Sequence, residues 1–153
     1  MSTHIAHIEK HEFNARFNNF FQQLDRIRIP ADVNPTTART ILTEIDRLYA
    51  SIRLDYALLQ SERSRIESII KELERAEATG KNETERRKNA TDAIRSFEVE
   101  EGRTINLYNL QRQIGSRYEM YSSLIDIMDK KQSRLITVSG LLKLDKELQG
   151  DHI

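Results

Sequence analysis

The sequence predicts an all-α protein: a long antiparallel helical hairpin (coiled coil) with a short N-terminal amphipathic helix and a C-terminal helical extension. Three observations predict it. First, Ala38, Ile41, Ile45, Leu48, Ile52, Leu59, Ile66, Ile69, Leu73 and Ala76 recur at helical steps, the seam of a helix that packs against another helix. Second, Gly80 signals a helix stop, and Asn82 with Glu85 three residues on signals a helix start. The two lie so close that the chain must double back. Third, 31% of the 153 residues are charged and only 7% aromatic, so the apolar residues suffice for stripes rather than for a thick globular core.

The first element, 11–27, carries Phe13, Phe17, Phe20, Phe21, Leu24 and Ile27 at helical spacing. Such a stripe is either core or a subunit contact, so Phe13, Phe17, Phe20, Phe21 and Leu24 are candidate oligomer-interface residues. Residues 28–34 form a linker, because the residues before Pro30 and Pro35 are pushed out of the helical region. Asn34 can cap and Pro35 suits a first helical position. The long helix is therefore expected over 35–79, about 65 Å at 1.5 Å per residue.

Within the seam, Asp55 and Glu62 stand where the pattern calls for apolar residues. Either a partner supplies cations there or the pairing opens to water. A hairpin centred on Gly80 sets Asp55 and Glu62 opposite Thr104 and Phe97, and Arg103 and Arg95 become the expected counter-ions.

After a turn at 80–82, a returning helix is expected over 83–128, through Ala90, Ile94, Phe97, Ile105, Tyr108, Ile114, Tyr118, Tyr121, Ile125 and Met128. Gly102 and Gly115 weaken it by about 1 kcal/mol each relative to alanine, so a register slip or mild bend is expected rather than a break. The last element, 130–148, either continues that helix or hinges near Lys130. A two-helix hairpin cannot bury all of its apolar residues, which adds Leu135, Val138, Leu141, Leu142 and Leu144 to the candidate oligomer interface. The chain 1–153 reads as a single helical domain.

The chemistry is narrower. No cysteine is present, which excludes disulfides, thiolate metal sites and cysteine nucleophiles. The 24 basic and 24 acidic residues cancel, so polyanion binding requires local patches or their repetition in an oligomer. No apolar run approaches the ~20 residues that span a bilayer, and the start Met1-Ser2-Thr3-His4 does not read as a signal peptide. A cytoplasmic location is expected, and the sequons at Asn82 and Asn89 read as coincidental.

Enzyme signatures are sparse. His4, His7 and His11 share a face if the N-terminus is helical, and read either as a metal cluster or as three solvated imidazoles. Glu98 with Glu101, and Asp126 with Asp129, are carboxylate pairs of the kind that hold magnesium in helical nucleotide pyrophosphohydrolases. Those ligands must converge from two helices. On one returning helix the pairs are about 37 Å apart. With no glycine-rich phosphate loop, serine elbow or dinucleotide fingerprint, the expectation is a protein that is not an enzyme and takes no cofactor or metal.

Two cationic stripes remain as candidate nucleic-acid contacts. The hairpin tip concentrates Lys71, Arg75, Lys81, Arg86, Arg87 and Lys88, although Glu72, Glu74, Glu77, Glu83 and Glu85 nearly cancel them. The second stripe is Arg112, Arg117, Lys130, Lys131 and Arg134, interleaved with Tyr108, Tyr118 and Tyr121. Tyrosines beside arginines suit stacking on single-stranded bases, and equally suit a helix core.

Met128-Asp129, then Ser133-Arg134, then Val138, Leu141, Leu144 and Gly150 give an apolar-Asp pair, a Ser-Arg pair and apolar positions leading to a glycine, and in that spacing the C-terminal third resembles the phage recombination mediators of the UvsY type. Lys71 and Arg75 before Gly80 correspond to that family's basic stretch, while Ala78-Thr79 replaces its tyrosine pair. The resemblance implies a ring-forming protein of an infected host cell's cytoplasm that binds single-stranded DNA. It also implies that the protein helps load a RecA-like recombinase in exchange for single-strand-binding protein. The alternative from another class is a structural coiled-coil protein, such as a virion or tail component or a helical adaptor, with no nucleic-acid affinity.

Overall fold

The structure is a computed structural model that describes residues 3–76 and 80–150, with all of their side chains except those of Leu141, Leu142, Leu144, Asp145 and Lys146. It is an all-α fold in which two long helices pack against each other, with a small β-hairpin inserted. The elements are α1 (Lys10–Arg26), α2 (Pro35–Ala76), α3 (Glu83–Arg95), β1 (Phe97–Glu100), β2 (Arg103–Ile105) and α4 (Leu107–Gly150).

Local chemistry explains most boundaries. At the start of α2, Asn34 Oδ1 accepts from the Thr37 N–H at 2.8 Å, which satisfies one of the helix's orphan donors. At the start of α3, Asn82 Oδ1 accepts from the Glu85 N–H at 2.9 Å, and Glu85 Oε2 accepts in return from the Lys81 N–H at 2.9 Å. This is the expected capping box, with its return bond one residue earlier than the usual pattern. Gly80 has φ +149°, a conformation that side chains disfavour, and a Cβ there would meet Glu85 Cγ at 3.0 Å. The last three residues of the predicted 35–79 helix lie outside the described residues.

The returning helix over 83–128 is corrected. The helix that starts at Glu83 ends at Arg95, and the chain forms an antiparallel hairpin before α4 begins. Phe97 pairs with Ile105 and Glu98 with Thr104; the register then shifts, so that Glu100 meets Arg103 and Val99 is the extra residue of a bulge. Gly102 takes φ +76° in the turn. Asn106 then restarts the helix, its side-chain oxygen accepting from the Tyr108 N–H at 3.0 Å. The predicted 130–148 element is continuous with α4.

The chain divides into two compact units. One gathers Ile8–Tyr56 with the chain from Met120 onward; the other gathers the N-terminal residues up to His7 with Ala57–Glu119.

In the first unit, α1 lays Phe13, Phe20 and Leu24 into a core shared with Ile41, Ile45, Leu48 and Ile52 of α2 and Tyr121, Leu124, Ile125, Met128 and Leu135 of α4. Val33 of the linker is also buried. The Tyr121 ring centre lies 5.8 Å from Phe13, 6.1 Å from Phe17 and 6.3 Å from Phe20, within the range of favourable aromatic pairs.

In the second unit, Ile5 and Ala6 are buried in the same core as Leu59, Ile66, Ile70, Ala90, Ile94, Leu107 and Ile114. The Ile5 and Ala6 carbonyls accept from Arg117 Nη1 at 2.9 Å and Gln113 Nε2 at 3.3 Å. These bonds hold an N-terminal segment that is not helical.

Candidate nucleic-acid interface

Both acids of the seam are buried, Asp55 at 2% and Glu62 at 9% exposure, and both meet cations. The cations are not the expected ones. Arg16 of α1 grips Asp55 with two hydrogen bonds, Nε to Oδ2 at 2.6 Å and Nη2 to Oδ1 at 2.8 Å, and the Tyr121 hydroxyl donates to Oδ2 at 2.8 Å. Glu62 accepts from Arg65 Nε at 3.0 Å and lies 2.8 Å from His7 Nε2. Arg103 and Arg95 have neither role. A continuous returning helix would have carried them there, but the turn into the β-hairpin places α4 in a different register, and Asp55 meets Tyr121 instead of Thr104.

These contacts set the electrostatics. The Arg65 hydrogen bonds, followed by the His7 contact, hold the Glu62 carboxyl down to about 2 against the opposing effect of burial. Burial, reinforced by the Asp55 hydrogen bond, pushes the Tyr121 phenol well above its ordinary value. Arg16 is raised by its bond to Asp55. The partners of Glu62 therefore favour its ionised form, and the surroundings of Tyr121 favour its neutral phenol.

The predicted cations separate into three kinds. Lys71, Arg75, Lys81, Arg86, Arg87, Lys88 and Arg112 of the second unit are exposed, with Arg87 paired to Glu83 and Arg112 bonded to Asn109. In the first unit Lys130 and Arg134 are exposed, while Lys131 is half-buried and its Nζ donates to the Ile27 carbonyl at 2.7 Å. Arg117 is corrected: at 5% exposure, with a bond to the Ile5 carbonyl, it secures the N-terminal segment and does not meet solvent. Tyr121 is likewise core, at 0% exposure, and is withdrawn as a stacking platform. Tyr118 is half-buried under the Arg63 guanidinium, 4.9 Å from its ring centre, and Tyr108 is half-buried.

Sequence reasoning missed three features. Arg28, two residues past the end of α1, joins Lys131 and Arg134 in lining one pocket with Ile27 and Ile29. Arg53 of α2 lies over Tyr49 at 4.9 Å and Tyr56 at 6.0 Å, an arginine–tyrosine stack whose spacing of four and three residues was visible in the sequence. Beneath the linker, Asp32, Val33, Asn34, Pro35, Ala38, Ser139 and Lys143 line a second pocket of the first unit.

Of the seven candidate interface residues whose side chains are described, five are committed within the chain. Phe13, Phe20, Leu24 and Leu135 are buried, and Phe17 packs on Tyr121, so these are core. Phe21 remains 44% exposed and Val138 is half-buried; the side chains of Leu141, Leu142 and Leu144 lie outside the described residues.

Of the three histidines, the His4 and His7 rings lie 5.5 Å apart, centre to centre. His7 sits on Glu62, His4 Nδ1 accepts from the Ala6 N–H, and His11 is exposed on α1. Among the described residues no group of three or more histidine, aspartate or glutamate side chains could hold a metal ion. The carboxylate pairs do not share a helix either: Glu98 stands on β1 and Glu101 in the hairpin turn, whereas Asp126 and Asp129 are on α4. Among the described residues, no helix is long and apolar enough to cross a membrane. Compared with protein-family models, curated proteins and solved structures, the chain matches none.

Proposed function

We propose that this chain works by binding rather than by catalysis, as a homo-oligomeric helical protein that holds single-stranded DNA and serves phage recombination or replication as a mediator. In this role it would hand the strand from a single-strand-binding protein to a RecA-like recombinase. The observation that carries the reading is the contrast between two sets of charges. The buried ions Asp55, Glu62 and Arg117 are engaged inside the chain, whereas Lys71, Arg75, Lys81, Lys88, Lys130 and Arg134 stand exposed, as do Arg86 and Arg112 with one local hydrogen bond each, to the Gly80 carbonyl and the Asn109 side chain. Exposed cations repeated around an oligomer multiply phosphate contacts without any net charge on the monomer. Arg53 stacked on Tyr49 and Tyr56 supplies aromatic faces of the kind on which unpaired bases stack.

A second reading, a structural coiled-coil partner without nucleic-acid affinity, is favoured by one observation. Phe21, Leu42, Leu54 and Ile136 expose 38–64% of their surface on helices of the first unit, an apolar supply for assembly. Light scattering with and without oligo-dT separates the two. The mediator reading expects oligo-dT to add mass to the assembled species; assembly indifferent to oligo-dT supports the structural reading.

A further inference from the structure

We propose that Arg28, Lys131 and Arg134 form a binding site for one phosphate group, carried either by a DNA strand or by a free phosphate. The three cations come from two elements. Arg28 follows the end of α1, and Lys131 and Arg134 are three residues apart on α4, which sets them on one helix face. With Ile27 and Ile29 they line a single pocket, and among the described residues no carboxylate lines it.

The C-terminal end of α1 explains only part of this arrangement. Its carbonyls and partial negative charge favour one cation, and Lys131 takes that place through its 2.7 Å bond to the Ile27 carbonyl. That bond holds the ammonium at the pocket and leaves its two other donors available. Arg28 and Arg134 are exposed, and neither takes part in any ion pair among the described residues. Elsewhere in the chain, the buried acids each hold an arginine. The carbonyl end of α1 offsets only part of the charge of these three cations, no carboxylate among the described residues lines the pocket to offset the rest, and a tetrahedral oxyanion relieves the remaining repulsion. Guanidinium forks match pairs of phosphate oxygens, and an ammonium adds a point charge.

The site rests on the preceding reading only in naming a DNA strand as one source of the phosphate. The test is two-dimensional NMR of the arginine side-chain Nε–Hε signals in the full chain. Inorganic phosphate is titrated in at constant ionic strength, followed by oligo-dT. We expect saturable phosphate shifts at Arg28 and Arg134. Either Arg28→Gln or Arg134→Gln should weaken the affinity about tenfold, equivalent to one charge-assisted hydrogen bond, whereas Arg39→Gln, on an exposed residue of α2, leaves it unchanged. Oligo-dT that displaces phosphate from these signals identifies the strand as the source. Oligo-dT that leaves the phosphate shifts in place assigns the pocket to a free phosphate, and if it does not bind at all the DNA reading falls while the pocket stands. Absence of saturable shifts at Arg28 and Arg134, or equal weakening by Arg39→Gln, overturns the site.

Discussion

Asp55 and Tyr121 are joined by a 2.8 Å hydrogen bond inside the first unit, and Arg16 closes on the same carboxylate from α1. One acid thus ties together all three helices of that core. Removing a partner leaves a buried carboxylate partly uncompensated. Arg16→Ala should cost about 2–3 kcal/mol, below the range for fully buried pairs because the Arg16 side chain is half exposed. Tyr121→Phe should cost about 1–2 kcal/mol. Urea unfolding followed by circular dichroism measures both, and the double variant should reveal coupling because the two share one acceptor.

Glu62 gives the fold a defined acid sensitivity. Its carboxyl is held at about 2 in the folded chain against 4.5 ordinarily, so as pH falls the unfolded chain takes up the proton first. The stability it contributes is complete above about pH 4.5 and disappears as pH falls through the folded value near 2. Arg65 is more than half exposed, which reduces the contribution to the order of 2 kcal/mol. Glu62→Gln should be less stable than the parent at neutral pH, with the gap closing as unfolding is repeated down to pH 2.

Two glycines should respond differently to alanine. Gly102 has φ +76° but open space where an alanine methyl would stand, so Gly102→Ala meets backbone strain alone, about 1–2 kcal/mol. At Gly80 the methyl would also approach Glu85 Cγ at 3.0 Å and the Arg86 nitrogen at 3.3 Å. Gly80→Ala should therefore be the more damaging. Amide exchange should show local loss of protection over 97–105 for the first variant and around 82–86 for the second.

The phenylalanine helix offers a within-element comparison. Phe13, at 2% exposure, fills the core against Tyr121, and Phe13→Ala should cost about 3–5 kcal/mol. Phe21, at 44%, should tolerate serine within about 0.5 kcal/mol. If Phe21→Ser instead lowers the mass measured by light scattering, Phe21 lies in a subunit contact.

The seam on α2 was legible because its period is strict, and the place of Asp55 and Glu62 in it left two outcomes, cations or water, of which the structure shows the first. Their partners were not legible, since pairing across a hairpin depends on counting residues through everything between. Phe97-Glu98-Val99-Glu100 alternates, and Glu101-Gly102 followed by Arg103-Thr104-Ile105 is a short-turn signal. Helical spacing through Phe97 and Ile105 masked it. The same miscount sent Arg103 and Arg95 towards the seam acids. Arg117 resembled a phosphate contact because an arginine's sequence position does not reveal that a backbone carbonyl will claim it. Arg28 escaped notice because its companions lie more than a hundred residues away.

The central claim, that the exposed cations bind single-stranded DNA, is tested most directly by fluorescence anisotropy of labelled oligo-dT over a salt series. We predict binding at about 50 mM salt that weakens with a log–log slope of roughly −0.7 per phosphate contacted, steeper than about −2 overall. No binding at that salt, or binding indifferent to salt, would contradict it.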